Sequence, residues 1–176
     1  MGSILSELLS RLGPRHQAAL TWFVENAENT QSWPEGLEDG TLLATKAKGI
    51  YKPRWSEYAL SVRVTPTSEY HDKLIQEGDF WRYRYSQEGS DPNYFTNRGL
   101  RNCLSDCVPV GVMGRVKPKP DALYRILGVA LVADYSDDGF FDLRGFTAAG
   151  ACDLKGVKYL PSWIARIAKS LDGKSV

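Results

Sequence analysis

The stretch Tyr58-Ala59-Leu60-Ser61-Val62-Arg63-Val64-Thr65 decides the fold class. Tyr58, Leu60, Val62 and Val64 fall on one face of an extended chain, and Ser61, Arg63 and Thr65 on the other, the period-two pattern of a half-buried strand. Toward the C-terminus the same period returns in Phe80 to Tyr85, which places Trp81, Tyr83 and Tyr85 together. From Thr96 to Cys107 the period is helical, with Leu100, Cys103, Leu104 and Cys107 at i, i+3, i+4 and i+7. Val108 to Val116, Leu123 to Asp134 and Phe140 to Leu143 read as further strands, and Asp137-Asp138-Gly139 supplies a hairpin turn.

Toward the N-terminus, Ile4, Leu5, Leu8, Leu9 and Leu12 repeat at helical spacing, with Ser3 placed to cap and Gly13 to stop the helix. Pro14 opens a second helix through about Asn26, expected to bury Ala18, Ala19, Trp22 and Phe23. A polar stretch, Asn29 to Gly40, follows. Pro161 opens a last helix to about Leu171, with Ile164, Ile167, Ala168 and Leu171 inward. The pattern predicts an α+β fold: a curled mixed sheet or open β-barrel with an N-terminal helical hairpin and a C-terminal helix. Residues 1–40 are expected to form the hairpin, 41–150 the sheet domain, and 151–176 a linker and helix.

Among 176 residues, 43% are hydrophobic and 24% charged, an ordinary globular composition. No apolar run approaches the ~20 residues that cross a bilayer, and the first residues carry no basic region of a signal peptide, so the cytoplasm is the expected compartment. The formal net charge is +1, but the charge is segregated. His16 to Thr45 lacks Lys and Arg, whereas Lys46, Lys48, Lys52, Arg54 and Arg63 form one basic cluster. Arg98, Arg101, Arg115, Lys117, Lys119 and Arg125 form another. Such segregation permits one positive face, which would hold phosphates, as readily as it permits scattered solvated loops.

Catalytic patterns are scarce. The chain has two histidines, His16 and His71, too few for a histidine-metal nuclease centre, and it lacks the zinc-deaminase signature. Cys103 and Cys107 would sit one helical turn apart, as small core residues or as half of a metal site. Asp134, Asp137 and Asp138 fit a solvated turn better than an ion site. No cofactor and no metal is expected. A flipped base, by contrast, needs flat rings to stack on and a partner for its Watson–Crick edge, and cytosine N4 is a donor that a carboxylate accepts from. Tyr70-His71-Asp72 supplies a ring and a carboxylate, and Tyr83 another ring, although sheet-packing tyrosines would look the same.

These stretches resemble the SRA (YDG) domains of the PUA-like superfamily, which read methylated cytosine. Gly49-Ile50 with the strand after it, Tyr70-His71-Asp72, Gly78-Asp79-Phe80-Trp81-Arg82-Tyr83, and Thr96-Asn97-Arg98-Gly99-Leu100 leading to Pro109-Val110 follow the family's order. The likeness extends over Leu12 to Phe146 to the bacterial branch, in which such a domain is fused to an HNH nuclease in modification-dependent restriction enzymes. Its marks there include Leu42 to Pro53, Tyr83-Arg84-Tyr85-Ser86-Gln87-Glu88 and Asp138-Gly139-Phe140-Phe141. Three features depart from the family. Tyr124-Arg125-Ile126 replaces the eponymous Tyr-Asp-Gly, the loop from Tyr85 to Thr96 is short, and no HNH half follows Phe146.

The resemblance implies a base pocket of Tyr70, Tyr83, Asp72 and Thr65. It further implies that Lys46, Lys48, Tyr51, Lys52, Arg63, Arg84, Asn97 and Arg98 meet the DNA backbone or groove. The expected partner is double-stranded DNA carrying 5-methylcytosine or 5-hydroxymethylcytosine, with a nuclease domain or a second copy as a further partner and no membrane contact. The chain itself is expected to bind rather than catalyse. A metal-dependent endonuclease within the chain and an RNA-binding PUA-like module are the alternatives left open.

Overall fold

A computed structural model describes residues 3–64, 73–158 and 160–166. Helix α1 (Ile4–Ser10) begins at Ser3, whose hydroxyl accepts the amide of Ser6 at 3.0 Å. Helix α2 (Pro14–Glu25) buries Ala19, Leu20 and Phe23 together with His16. Ala18 is exposed and Trp22 only half-buried, so the inward stripe is rotated by about a quarter of a turn from the expected one. Burial holds the His16 imidazole neutral, its pKa pushed down to about 4.

The strands are β1 (Thr30–Gln31), β2 (Ile50–Tyr51), β3 (Ser61–Val64), β4 (Lys73–Glu77), β5 (Phe80–Ser86), β6 (Val110–Lys117), β7 (Leu123–Tyr135) and β8 (Phe140–Gly145), with helix α3 (Phe95–Asp106) between β5 and β6. They form one mixed sheet in the order β2-β3-β6-β7-β8-β5-β4, with β1 also paired to β7. Among the described strands only β3 and β6 pair in parallel; the chain between them carries the β4–β5 hairpin and α3. The fold is α+β with a curled mixed sheet. The short strands β1, β2 and β4 were not legible in the sequence because two to five residues show no usable period.

Both sheet faces are covered. Ala19, Leu20 and Phe23 of α2 pack with Met113, Ile126, Val129 and Leu131 on one face. On the other, Leu100 and Cys103 of α3 pack with Val62, Val64, Val110, Val112, Ala130, Val132, Phe141 and Leu143. β3 is therefore not the half-buried strand its alternation suggested. Ser61 is buried too, its hydroxyl donating to the Leu43 carbonyl at 2.6 Å.

The turn Ser136 to Phe140 closes as expected, with Ser136 N–H on the Phe140 carbonyl and Gly139 at φ +88°. Beyond β8, the buried Arg144 guanidinium donates to the carbonyls of Asp153 (3.0 Å) and Lys155, which ties the following segment to the sheet. Residues 162–166 form a helical turn with Ile164 buried. The expected inward residues Ile167, Ala168 and Leu171 lie outside the described residues.

The Phe23 ring seats on β6 at Gly111, where an added Cβ would meet three ring carbons at 2.4–2.6 Å. Gly111→Ala should therefore destabilise the fold by ~1–3 kcal/mol through overpacking. Urea unfolding checks this: the midpoint falls at unchanged slope, and an unmoved midpoint means that the hairpin does not bear on β6 there.

Candidate nucleic-acid interface

The irregular segment Thr41 to Gly49 is a ridge held at its base. Gly40 turns the chain at φ +88°, and the Thr41 amide donates to Asp39 Oδ1 at 2.9 Å. Leu43 and Ala44 are buried against the helical hairpin. Arg63, projecting from β3 on the side opposite Val62 and Val64, donates to the carbonyls of Thr45 (3.3 Å) and Lys46 (3.5 Å).

On one side of this ridge lies a cleft of about 720 Å³ lined by Trp33, Lys46, Arg63, Arg115, Lys119 and Tyr124, with Glu35 and Asp121 as its acids. Register explains the assembly. The parallel β3–β6 pairing sets Arg63 beside Met113, and Arg115 lies two residues further along the same face of β6. Arg115 in turn is opposite Tyr124 of β7. The Trp33 ring stands edge-on to Tyr124 at 5.2 Å. Lys46 Nζ and the Arg63 guanidinium approach the Trp33 ring centroid to 5.4 and 5.7 Å. Two basic clusters distant in sequence thus become one cationic cleft with an aromatic wall.

Across the ridge is a second cleft, of about 480 Å³, whose lining includes Arg15, Lys48, Tyr51, Arg54, Phe95 and Thr96. Lys48 Nζ lies 4.8 Å from the Tyr94 ring centroid, and its bond to the Tyr94 hydroxyl raises the ammonium pKa. Burial raises the Tyr51 phenol.

Several expected contacts lie elsewhere. Tyr70, Asp72 and Thr65 fall outside the described residues. Tyr83 shares the inner face of β5 with Trp81 and Tyr85, but its ring has no exposed surface and packs in the core under α3. As drawn from the resemblance it would be an open pocket wall; here it is a core ring. Asn97, expected at DNA, is a buried clamp. Its Oδ1 accepts from Glu88 N–H (2.9 Å), and its Nδ2 donates to the carbonyls of Glu88 (2.8 Å) and Asp91 (2.9 Å), which uses its hydrogen-bonding capacity internally.

Lys52 likewise turns inward, Nζ donating to the Ser56 carbonyl at 2.6 Å. Arg84 pairs with Asp138 at 3.0 Å and lies 3.6 Å from the Phe140 ring centroid, so its partners belong to the β7–β8 turn and not to the clefts. Arg98 is exposed on α3 and lines neither cleft. Lys46 and Arg63 share one cleft, and Lys48, Tyr51 and Lys52 the other. Trp33, Arg115, Lys119 and Tyr124 were not singled out as site residues. The only advance signal was the basic cluster containing Arg115 and Lys119, and a tryptophan isolated in a polar stretch.

The three cysteines are free and buried, and burial pushes the Cys152 thiol up to about 12 and Cys103 upward as well. Among the described residues no helix is long and apolar enough to cross a membrane.

No family model matches the chain, and no curated protein matches it. Three solved structures are similar to it. A modification-dependent TagI restriction endonuclease is 18% identical, with TM-score 0.45, over 74% of this chain and 55% of that one. KRYPTONITE in complex with mCHH DNA, an H3(1-15) peptide and SAH is 15% identical, with TM-score 0.41, over 90% of this chain and 42% of that one. KRYPTONITE in complex with mCHG DNA and SAH is 15% identical, with TM-score 0.38, over 91% and 42%. The chain thus spans 55% of the first of these chains and 42% of the other two.

The burial of Tyr83 makes a direct prediction. Tyr83→Ala should lower stability by ~3–5 kcal/mol, the range for deleting a buried aromatic ring, whereas a surface pocket wall would leave it nearly unchanged. Thermal or urea unfolding without DNA distinguishes the two.

Proposed function

We propose that this chain is a DNA-binding module that reads a modified cytosine in duplex DNA by extruding the base. The observation that supports DNA as the partner is the joining of Lys46, Arg63, Arg115 and Lys119 around Trp33 and Tyr124. Four cations against two carboxylates leave the cleft with a net positive charge, which attracts a polyanion. Phosphate contacts of this kind supply affinity and register, and carry no sequence information.

The base-reading half of the proposal rests on the SRA resemblance. In it, Tyr70 stacks on the flipped cytosine and Asp72 accepts from N4, while Tyr83, expected as the second stacking ring, is a core residue of β5. Selectivity for a 5-methyl group is then modest, since burying one methyl contributes only ~1 kcal/mol. The module belongs, on this reading, to a modification-dependent restriction system, and binds where a nuclease partner would cut. The groups described here suit binding better than catalysis: the three thiols are buried and hard to ionise, and His16 is buried and neutral.

Two measurements test the two halves separately. Duplex affinity should fall steeply with NaCl, and Arg115→Ala should lower the log–log slope by about one unit on modified and unmodified DNA alike. A flat salt response removes DNA as the partner. For the base, duplexes bearing C, 5mC, 5hmC and glucosylated 5hmC should separate in affinity. Asp72→Ala should cost ~1–3 kcal/mol on the preferred duplex and little on the unmodified one, because it leaves the N4 donor unpaired in a dry pocket. Equal binding across the panel, better competition by single-stranded RNA, or metal-dependent cleavage by the chain alone overturns the reading.

A further inference from the structure

Helix α3 opens without a side-chain cap. Its N-cap residue, Tyr94, is extended at φ −56° and ψ 141° and makes no capping hydrogen bond. The first-turn amides of an α-helix have no intrahelical acceptor, and a side-chain oxygen at the N-cap is the usual substitute. The obvious nearby acceptors are engaged elsewhere. Asp91 Oδ1 accepts from the Asn93 amide at 2.9 Å, and Asn97 Oδ1 from Glu88.

A second observation sits at the same spot. Thr96, in that first turn, is almost wholly buried, and its hydroxyl has no hydrogen-bond partner. A buried hydroxyl left unpaired destabilises a fold, so its presence calls for a physical reason. Thr96 lines the second cleft, where Arg15, Lys48, Lys52 and Arg54 contribute four cations and no carboxylate stands among the described lining residues. Glu88, the acid whose charge reaches Lys48, is itself engaged, accepting the Ile50 amide at 2.8 Å. Arg15 donates to the Thr41 hydroxyl at 3.0 Å, Lys52 to the Ser56 carbonyl at 2.6 Å and Lys48 to the Tyr94 hydroxyl, so none of these three cations is offset by a carboxylate in the cleft.

We infer that the N-terminus of α3 is a phosphate-binding site, in which the first-turn amides and the Thr96 hydroxyl donate to a phosphoryl oxygen and Lys48 and Arg54 neutralise its charge. Uncapped helix N-termini suit oxyanions because the amides and the helix dipole act together. The phosphoryl group belongs to a nucleic-acid backbone rather than to a small metabolite. The cleft opens beside two exposed apolar side chains, Phe95 (41% exposed) and Leu42 (54%), which offer a surface for a sugar. Both clefts border the ridge that carries Lys46 and Lys48, so one bound strand or duplex would engage both. The inference extends the DNA reading and does not need the base pocket.

Thr96→Val tests it, because valine keeps the shape and removes only the orphan hydroxyl. In the full chain, titration with inorganic phosphate followed by amide NMR should give saturable shifts at Phe95, Thr96 and Asn97, and Thr96→Val or Lys48→Gln should abolish them. Thr96→Val should also weaken duplex binding about tenfold, as loss of a hydrogen bond to a charged group does, with thermal stability kept or raised. If phosphate shifts these amides but Thr96→Val leaves duplex affinity unchanged, the backbone assignment is overturned in favour of a free phosphorylated ligand. If Thr96→Val merely stabilises the protein and changes neither titration, there is no phosphate site. That second result, with the Arg115→Ala salt effect intact, leaves DNA binding standing and removes this site alone.

Discussion

Strand β7 must serve two cores at once, and the rest of the molecule is arranged around how it does so. Tyr124 and Ile126 point to the helical-hairpin side, and after Gly128 the residues on that side are Val129 and Leu131. The change from even to odd numbers marks an inserted residue. The β6 register runs from Val112 opposite Gly128 directly to Met113 opposite Ile126, leaving Leu127 unmatched, and Gly128 sits at φ +119°. Glycine alone takes that conformation without strain, and the bulge bends and twists the strand there. One edge of β7 is covered by β6; the other is taken first by β1 and then by β8. α2 and α3 bear on opposite faces of the same strand.

The cationic cleft follows from this arrangement. On the hairpin side of the bulge, Tyr124 emerges at the end of β7 where β1 has just brought in the segment that carries Trp33. The parallel β3–β6 pair then delivers Arg63 and Arg115 to the same end. Trp33 gives Lys46 and Arg63 an aromatic surface to lie near, which offsets part of the repulsion among like charges. Carboxylates are fewer here than cations, whereas Arg82, Arg84 and Arg125 are paired with Asp142, Asp138 and Glu28.

Motif residues divide by burial into those that can meet a ligand and those that build the frame. Asn97 stands in the stretch most like the SRA family, yet its side chain fastens the Glu88–Asp91 loop to α3. Its neighbour Thr96 is buried as well, and its hydroxyl makes no hydrogen bond. Adjacent residues of one stretch can thus serve packing at one position and leave an unpaired polar atom at the next. Gly99 has a structural use of the same kind: the Lys52 stem passes 3.1 Å from where its Cβ would be.

Much of the frame was legible in the sequence. The Ser3 cap, the Pro14 helix start, the α3 heptad, the long strands and the Asp137-Asp138-Gly139 turn are local events, decided by periodicity and backbone preference within a dozen residues. The segregation of charge was legible too. What the sequence alone could not contain was which clusters meet, because that depends on pairing between strands some fifty residues apart and on a one-residue bulge that reverses the facing of everything before it. The same limit applied to Tyr83 and Asn97. Alternation shows which residues share a face, but only the packed structure decides whether that face looks onto solvent or onto another layer, because burial is set by what the rest of the chain brings against it.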